Sequence, residues 1–452
     1  MFKKIKKIHF VGIGGSGMSA IAEVLLNLGY QISGSDLKET EVTERLKKLG
    51  ARIFYAHKRE NIAGVQVVVV SSAITKDNPE VLSALEQKIP VIPRAEMLAE
   101  LARLKYTIAI AGTHGKTTTT SLIGTILSEA NFDPTLVVGG RLRGLDTGAK
   151  LGKGDFLVAE ADESDGSFLK ISPTITIVTN IDDDHLDHYG TMEKLENTFV
   201  QFINKVPFYG WSILCLDDPG IRKILSSLER KFYTYGLENN ADFMAKDIIY
   251  DNWESKFTVY FQGKKIGQVN LHLPGRHNIS NALAAIACAI NLEINFPVIK
   301  KALAGFKGIE RRLQVRGEKN SITVIDDYGH HPSEIKATLS AIKQRWAKNR
   351  LIVIFQPHRY TRTKILADEF GQAFTQADII KLMEIYPAGE KPLPGISAKL
   401  IYDSIKKKGM NVNMFSSGEV SKLVKELKPG DIVLTLGAGD VWKLGEELLK
   451  IL

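Results

Sequence analysis

The chain has 452 residues, which is enough for about three domains of ordinary size. Its composition, 44% hydrophobic and 24% charged, is typical of a soluble globular protein, and its longest apolar runs fall far short of the ~20 residues that span a bilayer. The net charge of +8 comes from scattered lysines and favours an anionic substrate over nucleic acid.

Two further features bear on the location of the protein. The basic segment Met1–Lys7 resembles the start of a signal peptide, but no long apolar core follows it, so we expect it to lead into a first strand. Cys215 and Cys288 lie in apolar runs without metal-binding spacing, and we expect them to pack in the core. We therefore predict a cytoplasmic protein that does not insert into a membrane, and the oligomeric state stays open.

A strand, a glycine-rich turn, a helix and a second strand are predicted at the beginning of the chain. Residues 8–11 form the first strand, the turn follows at Gly12–Gly17, and the second strand, 31–35, ends at Asp36. An acidic residue about 20 positions after such glycines usually holds a ribose hydroxyl. The pattern predicts nucleotide binding by Gly14, Gly15, Ser16, Gly17 and Asp36.

Further strands are predicted at 51–55, 67–70 and 91–93. Loops that follow parallel strands are where an α/β sheet binds its ligands. Ser71 and Ser72 are therefore candidate substrate-binding residues. His57 is a weaker candidate, because a surface position in its loop accounts for it equally well.

The segment 106–127 has the pattern of a loop that binds a nucleotide triphosphate. A buried strand at 106–111 precedes a glycine-rich turn, and apolar residues then recur at helical spacing. Such a loop turns backbone N–H groups and a lysine toward the phosphates, and a Thr hydroxyl toward Mg²⁺. The residues predicted to bind ATP are Gly112, Thr113, His114, Gly115, Lys116, Thr117 and Thr118.

Two later strands, at 156–159 and 174–178, each run into a cluster of carboxylates or imidazoles. Mg²⁺ favours one or two carboxylates together with phosphate oxygens, so few of these residues can be ligands. We choose Glu160 and His185, with Thr117 from the phosphate loop. The surplus acids Asp182 and Asp183 are expected to cap the following helix.

Residues 241–273 alternate polar and apolar side chains and predict a small antiparallel meander. The segment 275–281 then leads into a helix predicted at 282–292. Its amides, Asn278 and Asn281, are at a helix start where they commonly act as caps, but beside a His and an Arg they also suit a purine ring.

The C-terminal part predicts strands at 322–326, 351–355, 379–383, 412–415 and 432–436, with helices between them. Three of the strands lead into polar loops, at 326–332, 356–362 and 437–440. These loops are expected to line one edge of a sheet and to form one wall of a site. Arg359 and Arg362 in the second loop are suited to pairing with a carboxylate.

These elements predict an α/β protein of three domains. The first, residues 1–104, is a Rossmann-like domain; the second, 105–313, is a P-loop ATPase-like domain with a small antiparallel sheet; the third, 314–452, is again Rossmann-like.

The sequence resembles the Mur ligases over essentially its whole length, and most closely those members that add L-alanine to UDP-N-acetylmuramic acid. Ten motifs carry this resemblance in the order found in the family: GIGGSGMSA (12–20), SGSD (33–36), SSAI (71–74), AGTHGKTTTT (111–120), EADESDGSF (160–168), NIDDDHLDHY (180–189), GRHNISNALAA (275–285), DDYGHHP (326–332), PHRYTRT (357–363) and GAGD (437–440).

The resemblance implies an ATP-dependent ligase of peptidoglycan precursor synthesis. The first domain would hold UDP-N-acetylmuramic acid, the second ATP with two Mg²⁺ ions bridged by Glu160, and the third L-alanine. It implies that Arg312 and the two amides contact the nucleotide, and that Tyr328, His330 and His358 complete the alanine pocket. The residues expected to carry the catalysis are Lys116, Glu160, His185 and Arg359.

Three alternatives are compatible with parts of the sequence. A ligase that recycles a murein tripeptide onto the same sugar nucleotide is the nearest, and the paired arginines of 357–363 favour a free amino acid over it. An NAD-dependent oxidoreductase agrees with residues 8–36 alone. An ATP-driven binding or regulatory module agrees with the phosphate loop alone.

Overall fold

The computed structural model describes residues 5–71, 73–139, 149–183, 186–251 and 253–452, without the side chains of Ser16, Leu186 and Asp187. These residues form three sheets, and the chain divides into two compact units. The first unit comprises Met1–Asp247, Phe257–Asn270 and Ser280–Lys307, and the second comprises Ile248–Lys256, Leu271–Ile279 and Gly308–Leu452.

The first sheet has five parallel strands in the order β3-β2-β1-β4-β5. Because the chain leaves the central strand β1 for β2 on one side and β4 on the other, a crevice opens at the carboxyl ends of β1 and β4. Its elements are β1 (Lys7–Val11), α1 (Ser16–Asn27), β2 (Gln31–Ser35), α2 (Glu41–Lys48), β3 (Arg52–Phe54), β4 (Val67–Val70), α3 (Pro79–Glu86), β5 (Val91–Pro93) and α4 (Arg94–Ala102), with a 3-10 turn at Arg59–Ile62.

The second sheet has ten strands in the order β15-β14-β13-β12-β11-β10-β6-β9-β7-β8. Strands β9, β6 and β10 are parallel neighbours, so the loops that follow them meet at one edge. The strands are β6 (Tyr106–Ala111), β7 (Thr135–Val137), β8 (Ala149–Lys150), β9 (Phe156–Glu160), β10 (Ile175–Val178), β11 (Trp211–Cys215), β12 (Phe232–Gly236), β13 (Phe243–Asp251), β14 (Glu254–Phe261) and β15 (Lys264–Leu271).

The helices of this part of the chain are α5 (Lys116–Glu129), α6 (Leu186–Tyr189), α7 (Met192–Asn204), α8 (Pro219–Ile224), α9 (Arg276–Asn291) and α10 (Phe296–Ala304), with 3-10 turns at Ser167–Lys170 and Leu225–Ser227. Within the first unit, α1 packs against β7 and β8, and α4 packs against the first of these 3-10 turns. The glycine-rich turn and the second sheet therefore belong to one packed body.

The third sheet has the order β16-β17-β21-β18-β19-β20, with only β16 antiparallel to its neighbour. Its elements are β16 (Gln314–Lys319), β17 (Ile322–Asp327), α11 (Pro332–Arg345), β18 (Leu351–Phe355), α12 (Tyr360–Ile365), α13 (Ala367–Ala373), β19 (Ile379–Leu382), α14 (Lys399–Lys407), β20 (Val412–Met414), α15 (Val420–Glu426), β21 (Ile432–Leu436) and α16 (Trp442–Ile451), with a 3-10 turn at Ser417–Glu419.

Helices cover both faces of the third sheet, which explains why its strands are continuously apolar. Ile325, Val353 and Leu434 pack into one core, whereas the adjacent residues Val324 and Ile352 pack into the core on the opposite face. The alternation follows from the period of two along a strand.

The structure confirms the predicted fold class. The five strands predicted in the C-terminal part and those at 31–35, 67–70, 91–93 and 106–111 lie where they were predicted, within one residue at their ends, whereas β16 was not predicted. Both cysteines are free and buried, as predicted. The boundaries at 104/105 and 313/314 stay predictions. No helix of the described residues is long and apolar enough to cross a membrane.

Two predicted elements are corrected. The meander is not a separate sheet, because β13 pairs with β12 and so extends the ten-stranded sheet. The helix predicted at 282–292 begins at Arg276, so the segment 275–281 forms its first turns rather than a loop before it. Polar residues there hid the helical period, since a helix start is where amides and hydroxyls satisfy backbone groups.

A buried carboxylate ties the first sheet together. Glu80, in the first turn of α3, is fully buried, and it accepts hydrogen bonds from Ser35 Oγ at 2.6 Å and Asn61 Nδ2 at 2.5 Å. His57 Nδ1 lies 3.1 Å and His9 Nε2 3.4 Å from its oxygens. Burial opposes the charged form, but His9, Ser35 and Asn61 hold the pKa of Glu80 down at about 2, against an ordinary value of 4.5.

We expect Glu80→Gln to destabilise the first sheet at pH 6. As the pH falls, we expect the difference in the free energy of unfolding between this variant and the wild type to become smaller. The charged carboxylate stabilises the folded state above about pH 4.5, and this contribution is lost as the pH falls toward 2. The loss between pH 6 and pH 3 is about 2 kcal/mol of the free energy of unfolding. Urea unfolding followed by circular dichroism measures the difference. Glu86→Gln, on the same helix but exposed, is the matched control; a pH-independent difference for Glu80→Gln would contradict the expectation.

Candidate active site

The glycine-rich turn after β1 is fastened to the end of β2. The N–H of Gly12 donates to the Ser35 carbonyl at 2.8 Å, and the N–H of Gly14 donates to the Asp36 carboxylate at 2.9 Å. The other carboxylate oxygen of Asp36 accepts the N–H of Lys38 at 3.3 Å. Asp36 therefore shapes the turn, and its bond to a ribose stays a prediction.

The predicted residues around this turn lie at the crevice of the first sheet. Gly15 caps the N-terminus of α1 and Gly17 lies in its first turn, so the positive end of the helix dipole faces the crevice. The Ser71 hydroxyl, after β4, lies 3.1 Å from the position that a Cβ on Gly12 would occupy. The Ser16 side chain and Ser72 lie outside the described residues.

His57 does not lie in an open surface loop. Its Nδ1 is 2.9 Å from Ser35 Oγ and 3.1 Å from Glu80, and its side chain is only 14% exposed. The structure therefore assigns it to the buried network of Glu80.

The phosphate loop between β6 and α5 has the backbone of an anion-binding turn. Gly112 and Gly115 have φ angles of +123° and +82°, which favour glycine. A Cβ on Gly112 would collide with the Thr179 hydroxyl, and one on Gly115 would lie 2.5 Å from Asn281 Oδ1. Both glycines are thus required by conformation and by close neighbours.

Side chains and backbone of the loop after β10 brace the phosphate loop. Asn180 accepts the N–H of His114 at 2.8 Å, and Thr179 donates to the His114 carbonyl at 2.5 Å. In return Thr113 accepts the N–H of Asp182 at 2.9 Å, and His114 Nε2 lies 3.3 Å from the Asp182 carboxylate. The loop is therefore held in shape by its neighbour.

Lys116 lies at the centre of this loop. Its ammonium donates to the Gly112 carbonyl at 2.5 Å and to both oxygens of Glu163 at 2.9 Å. Burial disfavours the charged ammonium, but the carboxylates of Glu163 and Asp162 outweigh this and raise the pKa of Lys116. The lysine is consequently a permanent cation.

The predicted metal ligands in the described residues lie around this lysine. Glu160 ends β9, accepts the N–H of Gly139 at 2.8 Å, and adds to the negative field at Lys116. Thr117 is the second residue of α5, and Thr118 after it is buried. A hydroxyl and a carboxylate beside a phosphate loop fit a hard cation such as Mg²⁺. His185 lies outside the described residues.

The two amides of α9 have different surroundings. Asn281 lies beside the phosphate loop, because its Oδ1 is 2.5 Å from the position that a Cβ on Gly115 would occupy. Asn278 donates to the Pro274 carbonyl at 2.7 Å and so anchors the start of the helix. Their contact with a purine stays a prediction.

In the second unit, a pair of arginines encloses Tyr328. Arg311 and Arg312 lie over its ring at 5.1 Å and 5.3 Å, and Arg312 pairs with Glu334 at 3.2 Å. Burial opposes the charge of Arg312, but Glu334 overcomes it and raises the pKa of this guanidinium. Burial and the nearby Arg312 lower the pKa of His277 to about 4, so this histidine is neutral near pH 7.

The predicted alanine-pocket residues of the second unit lie together. The rings of His330 and His358 are 5.5 Å apart, Tyr328 lies 5.6 Å from His330, and Tyr386 stacks on His358 at 5.8 Å. Arg362 Nη1 lies 3.4 Å from His358 Nδ1. Loops after β17 and β18 therefore converge, as predicted.

Arg359 caps α12 in an unusual conformation. Its φ is +72°, a region that costs a non-glycine residue free energy, and its N–H donates to the Tyr386 carbonyl at 2.9 Å. Within the described residues, its Nε is buried without a hydrogen-bond acceptor. A buried guanidinium donor in a strained loop suits an anionic ligand.

Several site residues were missed by the sequence analysis. Glu163 belongs to the motif EADESDGSF (160–168), but within that motif only Glu160 was predicted as a site residue. Tyr386 and Glu334 had no signal, since their neighbours come from distant parts of the chain.

Three family models match the chain in succession. They describe the Mur ligase family catalytic domain at residues 7–106, the Mur ligase middle domain at 110–289, and the glutamate ligase domain of Mur ligases at 311–439.

Individual relatives match over the full length. The UDP-N-acetylmuramate–L-alanine ligase of Geotalea uraniireducens (strain Rf4) is 57% identical over 453 residues, covering 100% of this chain and 99% of that protein. The crystal structure of UDP-N-acetylmuramate-alanine ligase from Thermotoga maritima has a TM-score of 0.84 at 31% identity, with 98% of each chain covered. A murein peptide ligase from Psychrobacter arcticus 273-4 has a TM-score of 0.75 at 25% identity, again over 98% of each chain.

The matched models cover most of the sequence, and the relative from Geotalea uraniireducens is similar from end to end. The chain belongs to the Mur ligase family.

Proposed function

We propose that the protein joins L-alanine to the carboxylate of UDP-N-acetylmuramic acid while ATP is converted to ADP and phosphate, a step of peptidoglycan precursor synthesis. The observation that carries this proposal is the phosphate loop with Lys116 among carboxylates, in the same unit as the glycine-rich turn of the first sheet. The full-length similarity to L-alanine ligases supports the choice of substrates. We place the reaction in the cytoplasm, which agrees with two free, buried cysteines.

The chemistry requires two anions to meet. A carboxylate oxygen of the sugar nucleotide attacks the γ-phosphorus of ATP, ADP leaves, and an acyl phosphate forms. The uncharged amine of alanine then attacks the acyl carbon, and phosphate leaves with the bonding electrons. Charge neutralisation at the γ-phosphate is the main requirement, and we assign it to Lys116 together with the N–H groups of the loop at the start of α5.

We infer that Thr117, Glu160 and His185 hold Mg²⁺, and that Asn278, Asn281 and Arg312 contact the nucleotide. The hydroxyl and carboxylate donors fit this ion. When bound, Mg²⁺ neutralises phosphate charge as a Lewis acid.

In the third domain we assign the alanine carboxylate to Arg359 and Arg362. The buried Nε of Arg359, which has no hydrogen-bond acceptor among the described residues, supports this choice. Tyr328, His330 and His358 form the remaining wall. We propose that one of these histidines accepts the ammonium proton, a general-base role that an uncharged imidazole nitrogen can fill.

The substrate assignment predicts that phosphate release requires UDP-N-acetylmuramic acid and L-alanine together. Coupled measurement of phosphate with ATP, the sugar nucleotide and either alanine or murein tripeptide tests it. Faster release with tripeptide would favour the recycling ligase, and release independent of any amino acid would favour an ATP-driven module.

Lys116→Ala is expected to lower turnover by at least about 100-fold, because a preorganised cation at the γ-phosphate is lost. Binding of UDP-N-acetylmuramic acid to the first domain, measured by calorimetry, is expected to stay nearly unchanged. Lys170→Ala, which removes an exposed cation of the same unit, is the control. If Lys116→Ala loses both properties, the division of labour between the domains is wrong.

Arg359→Ala is expected to raise the KM for alanine by about 10- to 100-fold, because a charge-assisted bond to its carboxylate is lost. The KM values for ATP and the sugar nucleotide serve as internal references. Lys364→Ala, which removes an exposed cation of the same helix, is the matched control. An unchanged KM for alanine would remove Arg359 from the pocket.

A further inference from the structure

Arg94 is a cation of the first unit to which neither the motifs nor the proposed function has given a role. It directly follows β5 and begins α4, at the edge of the first sheet where the glycine-rich turn lies. Its side chain is 28% exposed, so it is neither a core residue nor a freely solvated one.

The guanidinium of Arg94 lies against the helix that follows the glycine-rich turn. A Cβ on Gly17 would lie 2.9 Å from Arg94 Nη1 and 3.2 Å from its Cδ. The arginine therefore occupies the space that a side chain at position 17 would fill. Both the guanidinium and the N-terminus of the 12-residue helix α1 place positive charge at the same point.

The carboxylate of Asp162, in the loop after β9, orients this arginine. Arg94 Nη2 lies 3.3 Å from Asp162 Oδ2, and Asp162 immediately precedes Glu163, the partner of Lys116. The ion pair thus fixes one edge of the guanidinium, while the edge with Nη1 faces Gly17.

We propose that Arg94 is a substrate-binding residue that contacts the diphosphate of the sugar nucleotide at the N-terminus of α1. A guanidinium beside a helix N-terminus matches the charge and the paired oxygens of a diphosphate. Through its ion pair with Asp162, the same residue also connects the glycine-rich turn to the loop that carries Glu163. The inference rests on the proposed function, since it assumes a UDP-linked substrate at this turn.

The experiment compares the wild type with Arg94→Gln and Arg94→Lys by isothermal titration with UDP, with UDP-N-acetylmuramic acid and with ADP. Arg94→Gln is expected to weaken binding of both uridine ligands by about 10- to 100-fold and to leave ADP binding within about threefold. Arg94→Lys keeps the charge without the fork, so an intermediate loss is expected. Arg103→Gln, which removes an exposed arginine at the end of the same helix, is the control with unchanged affinities.

Gly17→Ala gives an independent check, because its methyl group would displace the guanidinium without removing the charge. It is expected to weaken UDP binding, and the additional loss from Arg94→Gln in the Gly17→Ala background is expected to be small. Circular dichroism spectra and melting temperatures establish that each variant is folded.

Three results would overturn the inference: unchanged UDP affinity in Arg94→Gln, a loss confined to UDP-N-acetylmuramic acid, which would assign Arg94 to the sugar carboxylate, or an equal loss of ADP affinity. Failure of the proposed function is seen separately, as a wild-type protein that releases no alanine-dependent phosphate.

Discussion

The ion pair between Lys116 and Glu163 is the interaction on which the nucleotide loop depends. Glu163 is almost fully buried, and a buried carboxylate is tolerated only when it is paired and hydrogen-bonded. The ammonium meets this need at 2.9 Å and at the same time draws in the Gly112 carbonyl, so one cation organises both the acidic loop and the turn. A triphosphate would present the same ammonium with anionic oxygens of its own. The pair therefore couples the stability of the loop to the charge that the proposed chemistry needs.

Parallel strands bring the parts of each site together. In the second sheet, β9, β6 and β10 are parallel neighbours. The loop of Glu163 after β9, the phosphate loop after β6 and the loop of Asn180 and Asp182 after β10 therefore lie at one edge. In the first sheet, the glycine-rich turn, Ser71 and Arg94 likewise follow the carboxyl ends of the parallel strands β1, β4 and β5. In the third sheet, the loops after β17 and β18 bring His330 and His358 within 5.5 Å of each other. The shared direction of the strands therefore explains why the polar loop residues gather at one edge of each sheet.

The amount that could be predicted differs between strands and loops. Buried parallel strands such as Val67–Val70 and Tyr106–Ala111 were predicted to the residue, because a short, continuous apolar run bounded by glycine or polar residues is typical of a strand covered on both faces. The start of α9 at Arg276 was missed, since polar residues that serve the helix end have no apolar period. The extension of the second sheet by β13 was also missed, because pairing with β12 depends on a neighbour and not on the pattern of the strand itself.

The sequence by itself determined the three-domain α/β class, the order of the motifs and the residue types available for phosphate, metal and carboxylate binding. Only the tertiary structure decided which of these residues are partners: Glu163 for Lys116, Asn281 for Gly115, Asp162 for Arg94, and Glu80 for His57. The physical reason is that the period of a helix or strand indicates which face a side chain lies on, but not which distant residue it meets there. Those partners come from other parts of the chain, and the contacts exist only once the sheets and helices have packed together.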